Sequence, residues 1–389
     1  MNGSDAEFQP GHRIALLESG MEYFPALETA LDAARFEVFL QTYIFENDDT
    51  GRRIAAALTR CARREVAVRV MVDGFGAREF VETMMPQLIE AGVQVLVYRR
   101  ELGSFSLRRH RLRRLHRKVA VIDGRLAFVG GINVIDDMHT PHHIPPRYDY
   151  AVSVEGPILA EILGSCQKLW ELVAWANLRR RLLLDSTRPP QATPVGELRA
   201  RYVIRDNLRH RRDIEAAYLD AINDASSEVL IASAYFLPGR RFRQALLHAA
   251  ARGVTVRLLL QGRVEYLLLH YATRGLYGSL LDGGVRIVEY HSSFLHAKVA
   301  VIDGVWSTVG SSNIDPFSLL LAREANVIVR DTGFAAGLRN SLERAMARGA
   351  TELKAADWKR SSILTRVTSW LAYGLVRLMM GITGYSRHH

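Results

Sequence analysis

The chain sets short apolar, β-prone runs between amphipathic stretches, and it does so twice in the same order. Glu37 to Phe45 reads EVFLQTYIF, and Glu228 to Phe236 reads EVLIASAYF. An amphipathic segment precedes each, LETALDAA in the first case and IEAAYLDAINDA in the second. Helical stretches around CARR and HAAARG lead into strand-like Val66 to Val72 and Val254 to Leu260. Ala91 to Tyr98 (AGVQVLVY) then matches Gly283 to Tyr290 (GGVRIVEY), and each half arrives at one more apolar run, HRKVAVID or HAKVAVID. Strands alternating with helices over this length predict an α/β architecture, and the repeated order predicts two similar halves. Residues 182–198 (LLLDSTRPPQATPVGEL) gather three prolines with Ser, Thr and Gly, which reads as the linker, with a surface loop inside one domain as the plainer alternative. The expected units are 1–185, 186–350 and a tail, 351–389.

Composition narrows the partners. A length of 389 residues suits two or three domains, and 48% hydrophobic with 24% charged residues is ordinary for a globular chain. The formal charge of +10 and pI near 9.8 point to an anionic partner: nucleic acid, an anionic lipid surface or a phosphate substrate. Cys61 and Cys166 are the only cysteines and lie far apart, as suits a reducing compartment. The N-terminus, MNGSDAEFQPGHR, lacks the basic and apolar regions of a signal peptide. No stretch reaches the roughly 20 apolar residues of a spanning helix.

The chemistry is written twice as well. His116-x-Lys118, Asp123 and Gly130-Gly131-x-Asn133 recur as His296-x-Lys298, Asp303 and Gly310-Ser311-x-Asn313, with identical gaps. On a strand, alternate residues share a face, so each His points with its Lys. Each following Asp-Gly reads as a hairpin turn, and the returning strand brings Asn133 or Asn313 back beside the pair. A cation, an amide and small residues in one concavity bind phosphoryl oxygens. A neutral imidazole is a nucleophile near pH 7 and a protonated one an acid. A lone strand His is usually structural; two matching five-element patterns instead imply two half-sites meeting in one active site.

These HxKx4Dx6G(G/S)xN patterns resemble those of the phospholipase D superfamily. Val72 to Gly76 (VDGFG), Asp149 to Pro157 (DYAVSVEGP) and the bare N-terminus resemble bacterial cardiolipin synthases of the B type, without N-terminal transmembrane helices. The resemblance spans roughly residues 12 to 385. It implies two pseudo-symmetric α/β domains, each a mixed sheet flanked by helices, with the active site at their interface. It also implies a metal-free and cofactor-free phosphatidyl transfer in two steps, through a phosphohistidine. His116 is then the expected nucleophile and His296 the acid and base, with Lys118, Lys298, Asn133 and Asn313 on the phosphoryl oxygens. Asp123 and Asp303 complete the family's catalytic motif set, although strand alternation turns them off the His face and towards a structural role. Gly131 departs from the commoner Ser, and a hydroxyl contact to phosphate is expected to be missing there. Orienting the imidazoles calls for other carboxylates: Asp149 in YDYAVSV and Glu324 in REANVIV, each opening an apolar run after its His.

Several other features carry expectations. Arg99, Arg100, Arg108, Arg109, Arg111, Arg113 and Arg114 form either a solvated loop or a lip that draws anionic headgroups to His116. Arg209, Arg211 and Arg212 with His210 form a second basic group, without the aromatic interleaving that base stacking needs. His139, His142 and His143 crowd one loop, but the carboxylate context of a metal site is thin. From Arg366 to Ile382 (RVTSWLAYGLVRLMMGI), Arg366, Ser369, Tyr373 and Arg377 make a polar stripe. Val367, Trp370, Leu371, Leu375, Leu378, Met379 and Ile382 make the apolar side of an interfacial helix, or of one docked on the protein's own core.

Three functions follow in order. The first is cardiolipin synthesis from two phosphatidylglycerols on a membrane surface, with phosphatidylethanolamine as donor, or glycerol or water as acceptor, left open. The second is a phosphodiesterase nuclease, which the apolar tail and the lack of nucleic-acid modules disfavour. The third is a non-catalytic membrane protein with a relict site, against which both intact motif copies stand.

Overall fold

The computed structural model describes residues 8–99, 113–140, 143–184, 189–206, 209–264, 266–315, 318, 321–360 and 362–382. The first repeat contributes β1 (Gln9–Glu18), β2 (Glu37–Thr42), β3 (Ala67–Asp73), β4 (Gln94–Tyr98), β5 (Lys118–Ile122), β6 (Leu126–Gly130), β7 (Arg147–Tyr148) and β8 (Tyr150–Glu155). The second contributes β9 (Leu198–Arg205), β10 (Glu228–Ser233), β11 (Thr255–Gln261), β12 (Arg286–Tyr290), β13 (Phe294–Leu295), β14 (Lys298–Ile302), β15 (Trp306–Gly310), β16 (Glu324–Arg330) and β17 (Ala350–Leu353). The order β4-β3-β2-β5-β6-β8-β1 runs straight on into β9-β16-β15-β14-β10-β11-β12-β17, one sheet of 15 strands. Within each repeat the first three crossover strands pair in parallel and the motif hairpin adds antiparallel strands.

Alternation along the strands explains the layers. On β2, Val38 and Leu40 face a core under the outer helices, while Phe39 faces the other repeat. The second repeat does the same: Val229 and Ile231 pack outward, and Leu230 and Ala232 inward. Strands covered on both faces read as continuous apolar runs rather than alternating ones, which is why EVFLQTYIF and EVLIASAYF look unpatterned. The inner faces of both repeats, with helices Leu159–Ala176 and Thr332–Gly349, share a single core. Trp170 is fully buried there, edge-on to Phe39 at 6.4 Å.

The repeats meet along β1 and β9. His12, fully buried, ties the seam: its Nδ1 lies 3.1 Å from Leu198 O, and its Nε2 accepts the Ile158 N–H at 3.0 Å. The proline-rich connection lies against the first repeat, with the Gln191 N–H on Gly124 O and the Val195 N–H on Gly11 O.

Helix Ile363–Ile382 lies along helix Leu267–Arg274. It docks by Ser369 and Val376, both buried, with Ala372 and Tyr373 half-buried. This corrects the expected polar stripe: Ser369 and Tyr373 turn towards the protein, and only Arg366 and Arg377 face outward. Trp370 and Leu378 remain 68% and 60% exposed, and Val367, Leu371, Leu375 and Met379 are exposed beside them. Among the described residues no helix is long and apolar enough to cross a membrane.

Candidate active site

Both motif strands begin at the join between the repeats. The segment before β14 forms a parallel ladder with β7, Phe294 with Arg147 and Leu295 with Tyr148. Its counterpart is the bridge of Leu115 to Arg323. Consequently the His296 N–H donates to Tyr148 O at 2.8 Å, and the His116 N–H to Arg323 O at 3.0 Å. Each histidine is hung on the residue that precedes the other repeat's carboxylate.

The side chains follow the same exchange. His116 Nδ1 lies 3.0 Å from Oε1 and 3.2 Å from Oε2 of Glu324. His296 Nδ1 lies 2.6 Å from Asp149 Oδ2. Asp149 and Glu324, the carboxylates expected to orient the imidazoles, each contact the histidine of the opposite repeat. A carboxylate on Nδ1 fixes that nitrogen as the protonated one and presents the Nε2 lone pair.

The lysines close the cluster. Lys298, buried, reaches Asp149 Oδ2 at 3.3 Å and the carbonyl of His296, and its Nζ stands 2.9 Å from His296 Nδ1. Nδ1 cannot both donate to Asp149 and accept from the ammonium; the shorter, charge-assisted carboxylate contact takes the proton. Lys118 donates to His116 O at 2.5 Å and sits 5.5 Å over the Tyr43 ring, which itself lies 5.0 Å from the His116 ring. Burial pushes Lys118 down to about 7, with Lys298 adding to the effect against Glu324 and Asp149. Burial and Lys298 drive His296 down to about 3 against Asp149, and burial also lowers His116 against Glu324. Burial works to raise Asp149, but Lys298 and His296 outweigh it and hold it low. Both imidazoles are therefore neutral near pH 7, and groups from both repeats share one field.

Asp123 and Asp303 lie at the far ends of the motif strands, which corrects their place among the catalytic residues. Asp123 Oδ1 accepts the N–H groups of Phe36 and Glu37, and Oδ2 that of Arg35. Asp303 does the same for Ser226, Ser227 and Glu228. Each heads a turn with its following glycine, at φ 52° and 58° in one copy and 51° and 63° in the other. Their carboxylates pin the start of β2 or β10 to the hairpin.

Asn133 and Asn313 are buried on the returning strands' exits. Asn133 Oδ1 accepts the Ile44 N–H at 3.1 Å, beside Tyr43, and Asn313 Nδ2 lies 3.5 Å from Ser318 Oγ. Ser311 Oγ donates to Glu324 Oε2 at 2.5 Å. The residue at that motif position therefore touches the orienting carboxylate, which corrects the expectation of a phosphate contact missing at Gly131. Sequence reasoning also missed Asp73. It is buried, accepts the Leu115 N–H at 2.8 Å just before His116, and is raised to about 6 by burial. The VDGFG run contained it without naming its job.

Of the basic lip, Arg114 stacks over Phe75 at 4.7 Å, whereas Arg100, Arg108, Arg109 and Arg111 lie outside the described residues. His142 does too, and His143 stacks on Phe294 at 4.4 Å. Among the described residues no three His, Cys, Asp or Glu side chains converge as a metal site would.

Two imidazoles held by crossed carboxylates, with two lysines in the same field, bring the motif residues of both repeats into one cluster. The sequence matches the family described as "Cardiolipin synthase, PLD-like domain" over residues 27–143 and 218–346. It is 37% identical over 382 residues to Cardiolipin synthase B of Escherichia coli K12, covering 98% of this chain and 92% of that protein. It is 30% identical to Cardiolipin synthase A of Pseudomonas putida, covering 89% of this chain and 70% of that one. Among solved structures, the phosphatidylserine synthase of Haemophilus influenzae Rd KW20 superposes with a TM-score of 0.68 at 14% identity, covering 94% and 93% of the two chains. The polyphosphate kinase of Porphyromonas gingivalis superposes at 0.58 and 13% identity, over 88% of this chain and 49% of that one. The chain belongs to the cardiolipin synthase family of phospholipase D-like proteins.

Proposed function

We propose that this protein makes cardiolipin by moving a phosphatidyl group from one phosphatidylglycerol to another. The observation that carries the reading is the crossed pair, His116 with Glu324 and His296 with Asp149, in a protein of this family. His116 Nε2 attacks the phosphodiester phosphorus, and the bond to the headgroup glycerol oxygen breaks as His296 gives that oxygen a proton. A hydroxyl of the second phosphatidylglycerol then attacks the phosphohistidine. Its oxygen bonds phosphorus, the P–N bond breaks, and its proton returns to His296. His116 is the more open ring, with a side chain 16% exposed against 11% for His296, which suits the attacker. His296 has the shorter carboxylate contact, which stabilises its imidazolium once an anionic phosphodiester offsets the charge of Lys298. Lys118, Lys298 and the amides of Asn133 and Asn313 hold the phosphoryl oxygens.

The exposed apolar face of helix Ile363–Ile382, with Arg366 and Arg377 on its flank, supports peripheral attachment to an anionic membrane surface. With two unpaired, buried cysteines in the chain, we place the protein on the cytoplasmic side of the cell membrane. Incubation with labelled phosphatidylglycerol vesicles, with and without phosphatidylethanolamine, tests the reaction. Cardiolipin and glycerol in equal amounts are expected from phosphatidylglycerol alone, and neither from His116→Ala or His296→Ala. Phosphatidic acid as sole product, or DNA cleavage without lipid turnover, overturns it. Denaturing quench at alkaline pH, where the P–N bond survives, should trap phosphohistidine at His116.

A further inference from the structure

The two repeats match strand for strand, so a residue used in one and idle in the other stands out. Asp73 ends β3 opposite Tyr98, and Gln261 ends β11 opposite Tyr290. The Gly74 N–H donates to Tyr98 O and the Gly262 N–H to Tyr290 O. Asp73 and Gln261 therefore hold the same place. Asp73 is fully engaged, accepting N–H groups from Leu115, Phe75 and Gly76. Gln261 is 9% exposed, and among the described residues neither Oε1 nor Nε2 has a hydrogen-bond partner. A buried primary amide left with both ends idle is costly in a folded protein.

Gln261 lines a cavity of about 30 Å³ with Ala234, Tyr235, Arg263, Tyr266 and His270. The cavity adjoins the second catalytic strand, since the Ala234 N–H donates to the carbonyl of Ala297, between His296 and Lys298. The Tyr235 and Tyr266 rings stand 5.8 Å apart at its rim, and Tyr266 is 57% exposed. Such a volume takes one or two water-sized groups. The amide offers one acceptor and two donors, the match for a neutral hydroxyl. Burial, with Arg274 and His291, drives His270 down to about 4, so the wall carries no imidazolium.

Building on the transferase reading, we propose that Gln261 holds a spare hydroxyl of the acceptor polyol, placing the neighbouring hydroxyl for attack on the phosphohistidine. The subsite recognises a vicinal diol, one oxygen in the Gln261 cavity and the other facing His296. In the transfer that follows, the second oxygen bonds phosphorus, the P–N bond breaks and the hydroxyl proton passes to His296.

The full chain in phosphatidylglycerol–detergent micelles, offered 1,2-propanediol or 1-propanol as competing acceptors, tests this. The unaltered protein is expected to prefer the diol at least tenfold in kcat/KM. Gln261→Leu is expected to bring that ratio near one, mainly through the acceptor KM, and Tyr266→Ala on the exposed rim to lower it as well. Unaltered diol preference in both variants, or no preference in the parent protein, overturns the subsite. Lipid hydrolysis by the parent protein with no transfer to any alcohol instead overturns the transferase reading, and the subsite with it.

Discussion

Gly131 and Asp149 compete for one volume. A Cβ built on Gly131 would lie 2.4 Å from Asp149 Oδ1 and 2.5 Å from Oδ2. In the other copy the same position is Ser311, whose hydroxyl donates to Glu324. The short carboxylate stands against glycine and the long one is braced by serine, so the two half-sites solve one orientation problem by different means. Gly131→Ser is expected to push Asp149 off His296 and cut turnover at least a hundredfold. Ser311→Ala removes one hydrogen bond from a buried carboxylate and should cost roughly ten- to a hundredfold, in line with ~1.5–3 kcal/mol for a charged acceptor. Steady-state cardiolipin formation reads both.

The crossed carboxylates separate the two chemical steps. With Glu324→Gln, His116 loses the group that fixes its tautomer, and phosphohistidine formation should fall by about 10³–10⁴, as for other displaced orienting carboxylates. With Asp149→Asn the acid is impaired instead. A phosphodiester carrying a nitrophenolate leaving group needs no acid, so it should still give a burst with Asp149→Asn and none with Glu324→Gln. Rapid-quench kinetics on the two variants distinguishes them.

Lys118 sets the alkaline side of the pH profile. Its pKa is held near 7 by burial and by Lys298, so in the free enzyme it is charged below that pH and neutral above it. Its contribution to phosphodiester binding is full on the acid side and lost as pH rises through about 7. KM for phosphatidylglycerol should climb from there, and kcat/KM should show the break as a free-enzyme ionisation. Lys118→Arg should erase it, because guanidinium stays charged.

Asp123→Ala and Asp303→Ala should act on stability. Each leaves backbone N–H groups without their acceptor, worth about 1–3 kcal/mol, read as a lower melting temperature in the purified protein. Burial alone would raise Asp303, but the N–H groups of Glu228, Ser226 and Ser227 prevail and hold it at about 2. Its folded pKa lies below the ordinary Asp value near 4, so its bracing is present above that value and lost as pH falls towards 2.

Much of this was legible beforehand, and the limits have physical causes. The doubled motif pointed to the chemistry, and the alternation of strands and helices in two similar halves was readable from apolar runs repeated in sequence. Which carboxylate serves which imidazole was not legible. Asp149 lies 147 residues from His296, and Glu324 lies 208 from His116. Only the β7–β13 ladder and its counterpart across the join decide the exchange, and two-residue strands leave no periodicity to read. Gly131 looked like a missing hydroxyl because its neighbour in space, Asp149, is 18 positions on, between β7 and β8. The tail's apolar face was visible from helical spacing. That its docking edge would include Ser369 was not, since the close approach of Gly275 to Ser369 O that permits it is a tertiary fact.

Replacing Leu371, Leu375 and Leu378 with Gln should abolish co-sedimentation with phosphatidylglycerol vesicles while sparing turnover in detergent micelles. These side chains are exposed and touch no part of the site.

The bond between His116 and Glu324 also ties the half-site of the first repeat to the completed chain. The carboxylate leaves the ribosome 208 residues after the imidazole it governs. A nascent first repeat, however well folded, carries an unguided ring and half a cradle. On the proposed chemistry, a polypeptide ending before Glu324 should leave phosphatidylglycerol vesicles unchanged.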